Sequence, residues 1–376
     1  MNLPRSDFDF STIYMARALE LAELGRGSVE PNPMVGCVIV DPYGEVVGEG
    51  YHRRFGGPHA EIEALKVAGN RARGATMFVT LEPCCHQGKT PPCTQAILAA
   101  GIQRVVAAMR DPFPRVNGGG FEELQTAGVD VASGLLGDEA HSLNAPYLKL
   151  LTQKRPWIIA KWAMTLDGKI ATTTGDSKWI SNEACRQIVH RLRGRVDAIV
   201  VGRKTALLDD PQLTARPPGE RVATRVVVGS THSLPSSCQL FTTAQETPVL
   251  FAIPTADAAE EQRLAAAGAE VFVLQGATQL QRLQSLLLEL GRRNMTNILV
   301  EGGGTLLGSL FELNAVDEAH AFIAPLVVGG TTAISPVGGQ GVSKIQAAWK
   351  IADPKFETIG DVIYTHGRVK PGQGIP

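Results

Sequence analysis

Two successive runs of short β-branched segments alternating with helical-period segments constrain this chain more than any other feature. Such alternation builds sheets that are covered by helices on both faces, an α/β architecture. In the first run Phe10–Glu23 carries apolar residues at helical spacing, and Val35–Val40 and Glu45–His52 are β-branched runs. They are joined by Asp41-Pro42-Tyr43-Gly44, with proline and glycine where a type I turn wants them. A helix is expected at His59–Ala68, a strand at Thr76–Leu81, and a helix at Pro91–Ala100, opened by prolines and closed by Gly101. Strand, helix, strand and closing helix follow at Arg104–Ala108, Gly120–Ala127, Val129–Ala132 and Asp138–Leu151.

The pattern restarts at Thr152-Gln153-Lys154-Arg155-Pro156, where Pro156 ends the preceding helix. The expected domains are therefore 1–154 and 155–376, in keeping with two domains for 376 residues. Strands are expected at Trp157–Ala163, Ala198–Val201, Arg225–Val228, Val249–Ile253, Val271–Leu274, Ile298–Glu301, Ala319–Ile323 and Val362–His366. Helices fit Glu183–Arg193, Ala258–Ala267, Leu280–Leu290 and Thr305–Leu313. The Pro/Gly-rich tail after Lys370 is expected to fray.

Charge narrows the function classes. The formal net charge is −1, which offers no electrostatic footprint for nucleic acid or for an anionic membrane. Residues 1–150 carry 13 Lys+Arg against 17 Asp+Glu, a balance of −4 that disfavours a tRNA base deaminase; the rest carries +3. No apolar run approaches the roughly 20 residues of a spanning helix, and the first residues lack a signal-peptide stretch. A cytoplasmic protein is expected, and self-association into a homo-oligomer stays open.

Of six cysteines, Cys84, Cys85 and Cys93 fall within ten positions. Without a secretory signal, such a cluster suggests metal or catalysis before disulfides. Pro58-His59-Ala60-Glu61 and Pro83-Cys84 through Cys93 complete the pattern. His59, Cys84 and Cys93 make a three-ligand zinc site whose fourth position is open, as hydrolytic chemistry requires. Glu61 is then the unliganded carboxylate that shuttles the proton. The alternative is a closed structural site that uses His86 or Cys85 as fourth ligand. Cys37, Cys185 and Cys238 read as ordinary free cysteines.

The string Pro31-Asn32-Pro33-Met34-Val35-Gly36, the His59-Ala60-Glu61 triplet, and Thr80-Leu81-Glu82-Pro83-Cys84 through His86-Gln87-Gly88-Lys89-Thr90-Pro91-Pro92-Cys93 resemble the bifunctional deaminase–reductases of riboflavin biosynthesis. The resemblance covers nearly the whole chain. It implies a cytidine-deaminase-like three-layer domain that hydrolytically deaminates 2,5-diamino-6-(5-phosphoribosylamino)pyrimidin-4(3H)-one, with one zinc ion per chain. By motif, Asn32, His86 and Lys89 would contact this pyrimidine ribose-phosphate. Asn32 offers an amide to a pyrimidine edge, and Lys89 a point charge to phosphate. The chain departs from the family's usual Asp-Pro-Asn-Pro at Asp111-Pro112-Phe113-Pro114, where a ring replaces an amide.

In the second half, Ile298 through Ser309 reads as strand, Gly-rich turn and helix. Glycines there let a phosphate reach N–H groups at a helix start. Leu307 occupies the third glycine position of the dinucleotide fingerprint, so a standard Rossmann site is disfavoured. Trp162 through Ala171 and Val201 through Arg216 resemble the family's reductase domain, which is similar in fold to dihydrofolate reductase. That resemblance implies that NADPH reduces the ribosyl unit of 5-amino-6-(5-phosphoribosylamino)uracil to ribityl. Ala163, Trp179, Gly303, Gly304, Thr305, Leu306, Leu307, Gly308 and Ser309 would line the NADPH site. Ser177, Arg193, Thr205, Asp209, Leu213, Arg216 and Glu301 would line the substrate site, with Arg193 and Arg216 suited to phosphate. Lys161, Asp209 and Glu301 are candidate proton donors, Lys161 being the one singled out. A chain with only one active half is the main alternative, and a zinc-stabilised nucleotide-binding protein without turnover is another.

Overall fold

The computed structural model describes residues 5–88 and 91–372. In the first unit, Met1–Gln153, the chain runs α1 (Arg5–Glu23), β1 (Gly36–Val40), β2 (Val46–Tyr51), α2 (Ala60–Ala68), β3 (Thr76–Val79), α3 (Cys93–Ala100), β4 (Arg104–Ala107), α4 (Gly119–Thr126), β5 (Asp130–Ser133), α5 (Gly137–Leu143) and α6 (Ala145–Gln153). The sheet order is β2-β1-β3-β4-β5. The β1–β2 and β1–β3 pairs are antiparallel, whereas β3–β4 and β4–β5 are parallel.

Alternation along the strands decides the layering. Cys37 and Ile39 of β1 enter a core with Ala60, Ala64, Ile97 and Leu124 from α2, α3 and α4. Val38 and Val40, one residue out of phase, join Met15 and Ala18 of α1 and Ala140 of α5 in a second core. Each fully buried aliphatic side chain contributes on the order of 1.5–3 kcal/mol. The β1–β2 turn forms as read, with Gly44 N–H bonded to the Asp41 carbonyl at 3.0 Å. Gly44 has a φ of 88°, the left-handed value that glycine adopts without strain.

One element differs from expectation. The closing helix over 138–151 is two helices, α5 and α6, meeting at Asn144. Asn144 is buried; its side chain accepts from the Met34 N–H at 2.8 Å and donates to the Met34 carbonyl at 2.9 Å. Pro146, which has no N–H and crowds the carbonyl of the preceding turn, breaks the helix here, and the pair of hydrogen bonds to Met34 anchors the break.

The second unit, Lys154–Pro376, runs β6 (Trp157–Thr165), α7 (Glu183–Arg193), β7 (Ala198–Gly202), α8 (Arg203–Asp209), β8 (Thr224–Val228), α9 (Gln239–Thr242), β9 (Val249–Ile253), α10 (Ala258–Ala266), β10 (Glu270–Val273), α11 (Gln279–Arg292), β11 (Asn297–Glu301), α12 (Gly304–Glu312), β12 (Glu318–Ala324), β13 (Lys350–Ile359) and β14 (Val362–Lys370). The sheet order is β10-β9-β8-β7-β11-β6-β12-β14-β13. All pairs from β10 to β12 are parallel, and β14 and β13 close the sheet antiparallel. Ile158, Ala198 and Val200 face α11 and α12, whereas Ile159, Ile199 and Val201 face the opposite core.

Strand β13 is absent from the sequence expectations. It holds Asp353-Pro354, and its register to β14 shifts between Ala352 and Lys355. A proline normally argues against a strand; here it sits at a bulge on the sheet edge, where a missing N–H costs no ladder bond. The short helices α8 and α9 are likewise unanticipated, and β14 continues past His366 to Lys370.

Candidate functional site

In the first unit, His59 occupies the N-cap position of α2, but its ring makes no capping bond. Cys93 is the first residue of α3, and its N–H points at the Cys84 sulfur, 3.4 Å away. A helix-start N–H and the helix dipole favour thiolate over thiol. The His59 Nδ1 lies 3.5 Å from Cys84 Sγ and 3.3 Å from Cys93 Sγ. Tetrahedral zinc with ordinary N and S bond lengths separates such atoms by about 3.5 Å, so the donor set fits zinc.

Hydrogen bonding from the Cys93 thiol, reinforced by His59, outweighs burial and holds the Cys84 thiol down to about 4. The same pairing together with burial pushes Cys93 up. Cys85 turns away, with its sulfur toward the Arg115 carbonyl at 3.7 Å. The ligand cluster is His59, Cys84 and Cys93, without Cys85 or His86. Among the described residues, no fourth protein donor joins this cluster to make the closed four-ligand alternative.

Glu61, in the first turn of α2, is buried, and its Oε2 has no hydrogen-bond partner. Burial raises it above the ordinary carboxylate range. A buried carboxylate oxygen without a partner is costly unless something completes it, and here it stands beside the His59, Cys84 and Cys93 cluster.

Around this centre, the Asn32 side-chain nitrogen lies 3.4 Å from His52 Nε2, and His52 Nδ1 donates to the Pro58 carbonyl at 2.9 Å. That bond assigns the proton to Nδ1, which leaves Nε2 to accept from the Asn32 amide. Burial lowers the pKa of His52, which favours the neutral ring. His86 has a buried, unpartnered Nδ1, and its ring centroid is 5.7 Å from that of Phe113. Lys89 lies outside the described residues.

Sequence reasoning assigned no task to His52, Glu82 or Asn144. Glu82 Oε2 accepts the N–H groups of Asp111 and Gly118, and Oε1 those of Gly120 and Phe121. It thereby fixes the loop that carries Phe113. Its place inside the Thr80–Cys84 string was the only signal available.

In the second unit, candidates converge at the carboxyl ends of the parallel strands, where open α/β sheets bind ligands. Glu301 ends β11 and is gripped by both forks of Arg193 from α7, at 2.6 and 2.9 Å. Arg193 also donates to the Thr214 carbonyl at 3.2 Å, so its guanidinium orients Glu301 and is not presented free to a phosphate. Lys161 on β6 is in register with Glu301. Burial lowers its pKa, against the pull of Glu301.

Ser177 donates to Asp209 at 3.3 Å, and Lys178 Nζ to the Asp209 carbonyl at 3.2 Å. Thr205 of α8 stands under the glycine turn: a Cβ on Gly303 would meet its hydroxyl oxygen at 3.4 Å. Gly302 and Gly303 have φ of 73° and 80°, which only glycine adopts readily. Trp179 is 70% exposed, with the Arg186 guanidinium 4.6 Å over its ring. Ala163 packs beside the α7 core, and Arg216 is exposed and donates to Gln212 at 3.0 Å.

Other candidates have different surroundings. A Cβ on Gly304 would strike the Ser335 carbonyl, and one on Gly308 the Gly338 carbonyl, so these glycines admit neighbouring chain. Leu306, Leu307 and Leu213 are core residues, and Ser309 bonds to Thr305 and Gln279. What α12 offers a ligand is the set of N–H groups in its first turn, from Gly304 to Leu306, with exposed Thr305 among them.

Family models match residues in both halves of the chain. The family model for the cytidine and deoxycytidylate deaminase zinc-binding region matches residues 10–109, and that for the RibD C-terminal domain matches 156–365. The chain is 42% identical over 363 residues to riboflavin biosynthesis protein RibD of Actinobacillus pleuropneumoniae, covering 96% of each. It is 40% identical over 358 residues to RibD of Escherichia coli, covering 92% of this chain and 94% of that one. Among solved structures, Acinetobacter baumannii RibD superposes with a TM-score of 0.84 at 34% identity, covering 97% of this chain and 100% of the other. Among the described residues, no helix is long and apolar enough to cross a membrane.

Proposed function

Because this chain belongs to the RibD family of riboflavin biosynthesis proteins, we propose that each half carries out the family chemistry through the residues just described. It is a bifunctional enzyme with a zinc-binding deaminase half and a reductase half that uses NADPH. We assign 1–154 to deamination of 2,5-diamino-6-(5-phosphoribosylamino)pyrimidin-4(3H)-one and 155–376 to reduction of the resulting ribosylaminouracil phosphate.

In the first half, His59, Cys84 and Cys93 hold the zinc, which supplies Lewis acidity that makes water nucleophilic at neutral pH. Glu61 Oε2 takes a proton from the attacking water and delivers it toward the departing amine. Its missing hydrogen-bond partner is the observation that carries this role. Asn32, held by His52 through its nitrogen, presents its carbonyl oxygen to a pyrimidine donor. His86 offers a ring nitrogen and Lys89 a charge for phosphate. Phe113 gives the pyrimidine a flat apolar wall where relatives offer an amide.

In the second half, bound NADPH would supply hydride chemistry at the opened ribosyl carbon. Gly302, Gly303 and the first turn of α12 would hold its phosphates, and Thr205, Trp179 and Ala163 would line the same site. Asp209, Ser177, Arg216 and Glu301 surround the substrate, with Arg193 orienting Glu301. Lys161 gives the proton to the developing alcohol or amine.

A coupled assay tests the whole reading: ammonia release from the diaminopyrimidine phosphate first, then NADPH oxidation. Glu61→Ala is expected to cut ammonia release at least 100-fold while it retains zinc and reduces supplied deaminated product at the wild-type rate. Normal deamination by this variant removes Glu61 from the mechanism. Failure of either wild-type step favours a chain with one active half.

A further inference from the structure

A second group of metal-ligating side chains lies on the sheet of the second unit, apart from the residues assigned above. Strands β12 and β14 pair antiparallel there, with His320 opposite His366. The two rings stack at 5.2 Å between centroids with planes 9° apart. Glu318, two residues before His320 on the same face of β12, brings its Oε1 to 2.7 Å from His320 Nε2. One ligand atom from each of Glu318, His320 and His366 falls within 4.8 Å of the others.

The outer contacts are those that orient metal ligands. The far nitrogen of His320, Nδ1, is 2.6 Å from the Tyr364 hydroxyl, which leaves Nε2 turned toward Glu318. The second oxygen of Glu318 accepts the Trp157 indole N–H at 3.2 Å, which leaves Oε1 facing inward. His366 has Glu357 at 3.7 Å from its Nε2. His320 and Glu318 thus have partners on the atoms turned away from the cluster, as ligating histidines and carboxylates characteristically do. The His320 side chain is 3% exposed and that of Glu318 22%, so the pair is shielded yet reachable.

We propose that Glu318, His320 and His366 bind a divalent transition ion of the zinc class, as a two-histidine, one-carboxylate site that pins β14 to β12. Two imidazoles and a carboxylate suit zinc-class ions and not magnesium or calcium, which prefer all-oxygen shells. Ligand atoms of one tetrahedral ion stand about 3.4 Å apart, so Glu318 and His320, now 2.7 Å apart, would part by roughly 0.7 Å and His366, within 4.8 Å of both, would draw in. The ion replaces the proton now shared between them. Nothing in this assignment depends on how either half turns over.

Cobalt(II) titration of the metal-stripped full-length protein tests it. Two equivalents are expected, and they are optically distinct. Binding at Cys84 and Cys93 brings intense thiolate charge-transfer absorption, whereas the second equivalent, with only nitrogen and oxygen donors, adds none. His366→Gln should weaken the second equivalent at least 100-fold and leave the thiolate band intact. Tyr364→Phe and Trp157→Phe, which remove outer partners only, should weaken it about 10-fold. A wild-type chain that binds one equivalent, or a second equivalent indifferent to both His366→Gln and Glu318→Gln, overturns the proposal. The thiolate band and far-ultraviolet dichroism report folding of each variant. If His366→Gln does not fold, Glu318→Gln and Tyr364→Phe decide.

Discussion

Lys161 is the residue at which burial and chemistry meet most directly in the second half. Desolvation lowers its pKa from the ordinary 10.5, while Glu301 pulls the other way. A proton donor must be protonated to act, so the reductase rate should fall as pH rises through that lowered value, earlier than an ordinary lysine would dictate. Lys161→Met should cost roughly 10²–10⁴-fold in NADPH oxidation, erase that alkaline limb, and leave ammonia release unchanged. Stopped-flow rates across pH check both parts. Legibility at this scale follows how much chemistry a residue type carries by itself. His59, Cys84, Cys93 and Glu61 were readable because their donor atoms and spacing are a chemical statement on their own. Glu82 and His52 were not, because their work is to satisfy particular backbone or amide groups that only folding brings near. Arg193 was read by the same logic as a phosphate partner, but a sequence cannot say that Glu301 reaches its guanidinium first.

Between elements, the Arg193–Glu301 pair ties α7 to β11, with side chains 13% and 10% exposed. Burial works to raise Glu301, but Arg193 prevails and holds it below the ordinary 4.5. A depressed carboxylate contributes stability that is complete above its unfolded value and lost as pH falls through its folded one. The pair is therefore whole at neutral pH and fails only in acid. Arg193→Met should destabilise the second unit by about 3–5 kcal/mol at neutral pH, because it leaves a buried charge unpaired. It should also remove part of the acid limb of the stability curve, which denaturant melts at several pH values will show. Elements were legible where local pattern and tertiary demand agree, as in β1, α7 and β9. They were not where a place in the sheet overrules pattern. Pro354 is tolerated because β13 lies at an edge with a bulge.

At the scale of the molecule, the two units carry separate cores and separate candidate sites. Ligand binding stabilises only the folded state that it contacts. NADPH at a hundredfold excess over its dissociation constant should add about 2.7 kcal/mol to the unfolding of the reductase unit. Differential scanning calorimetry with and without NADPH checks the shift. The Asn144–Met34 clasp adds an order in time. A ribosome emits the zinc ligands and Glu61 by residue 93, but the residue that secures the backbone next to Asn32 emerges only with Asn144. The order of synthesis thus delivers every zinc-ligand candidate to the chain before the residue that secures the Met34 backbone.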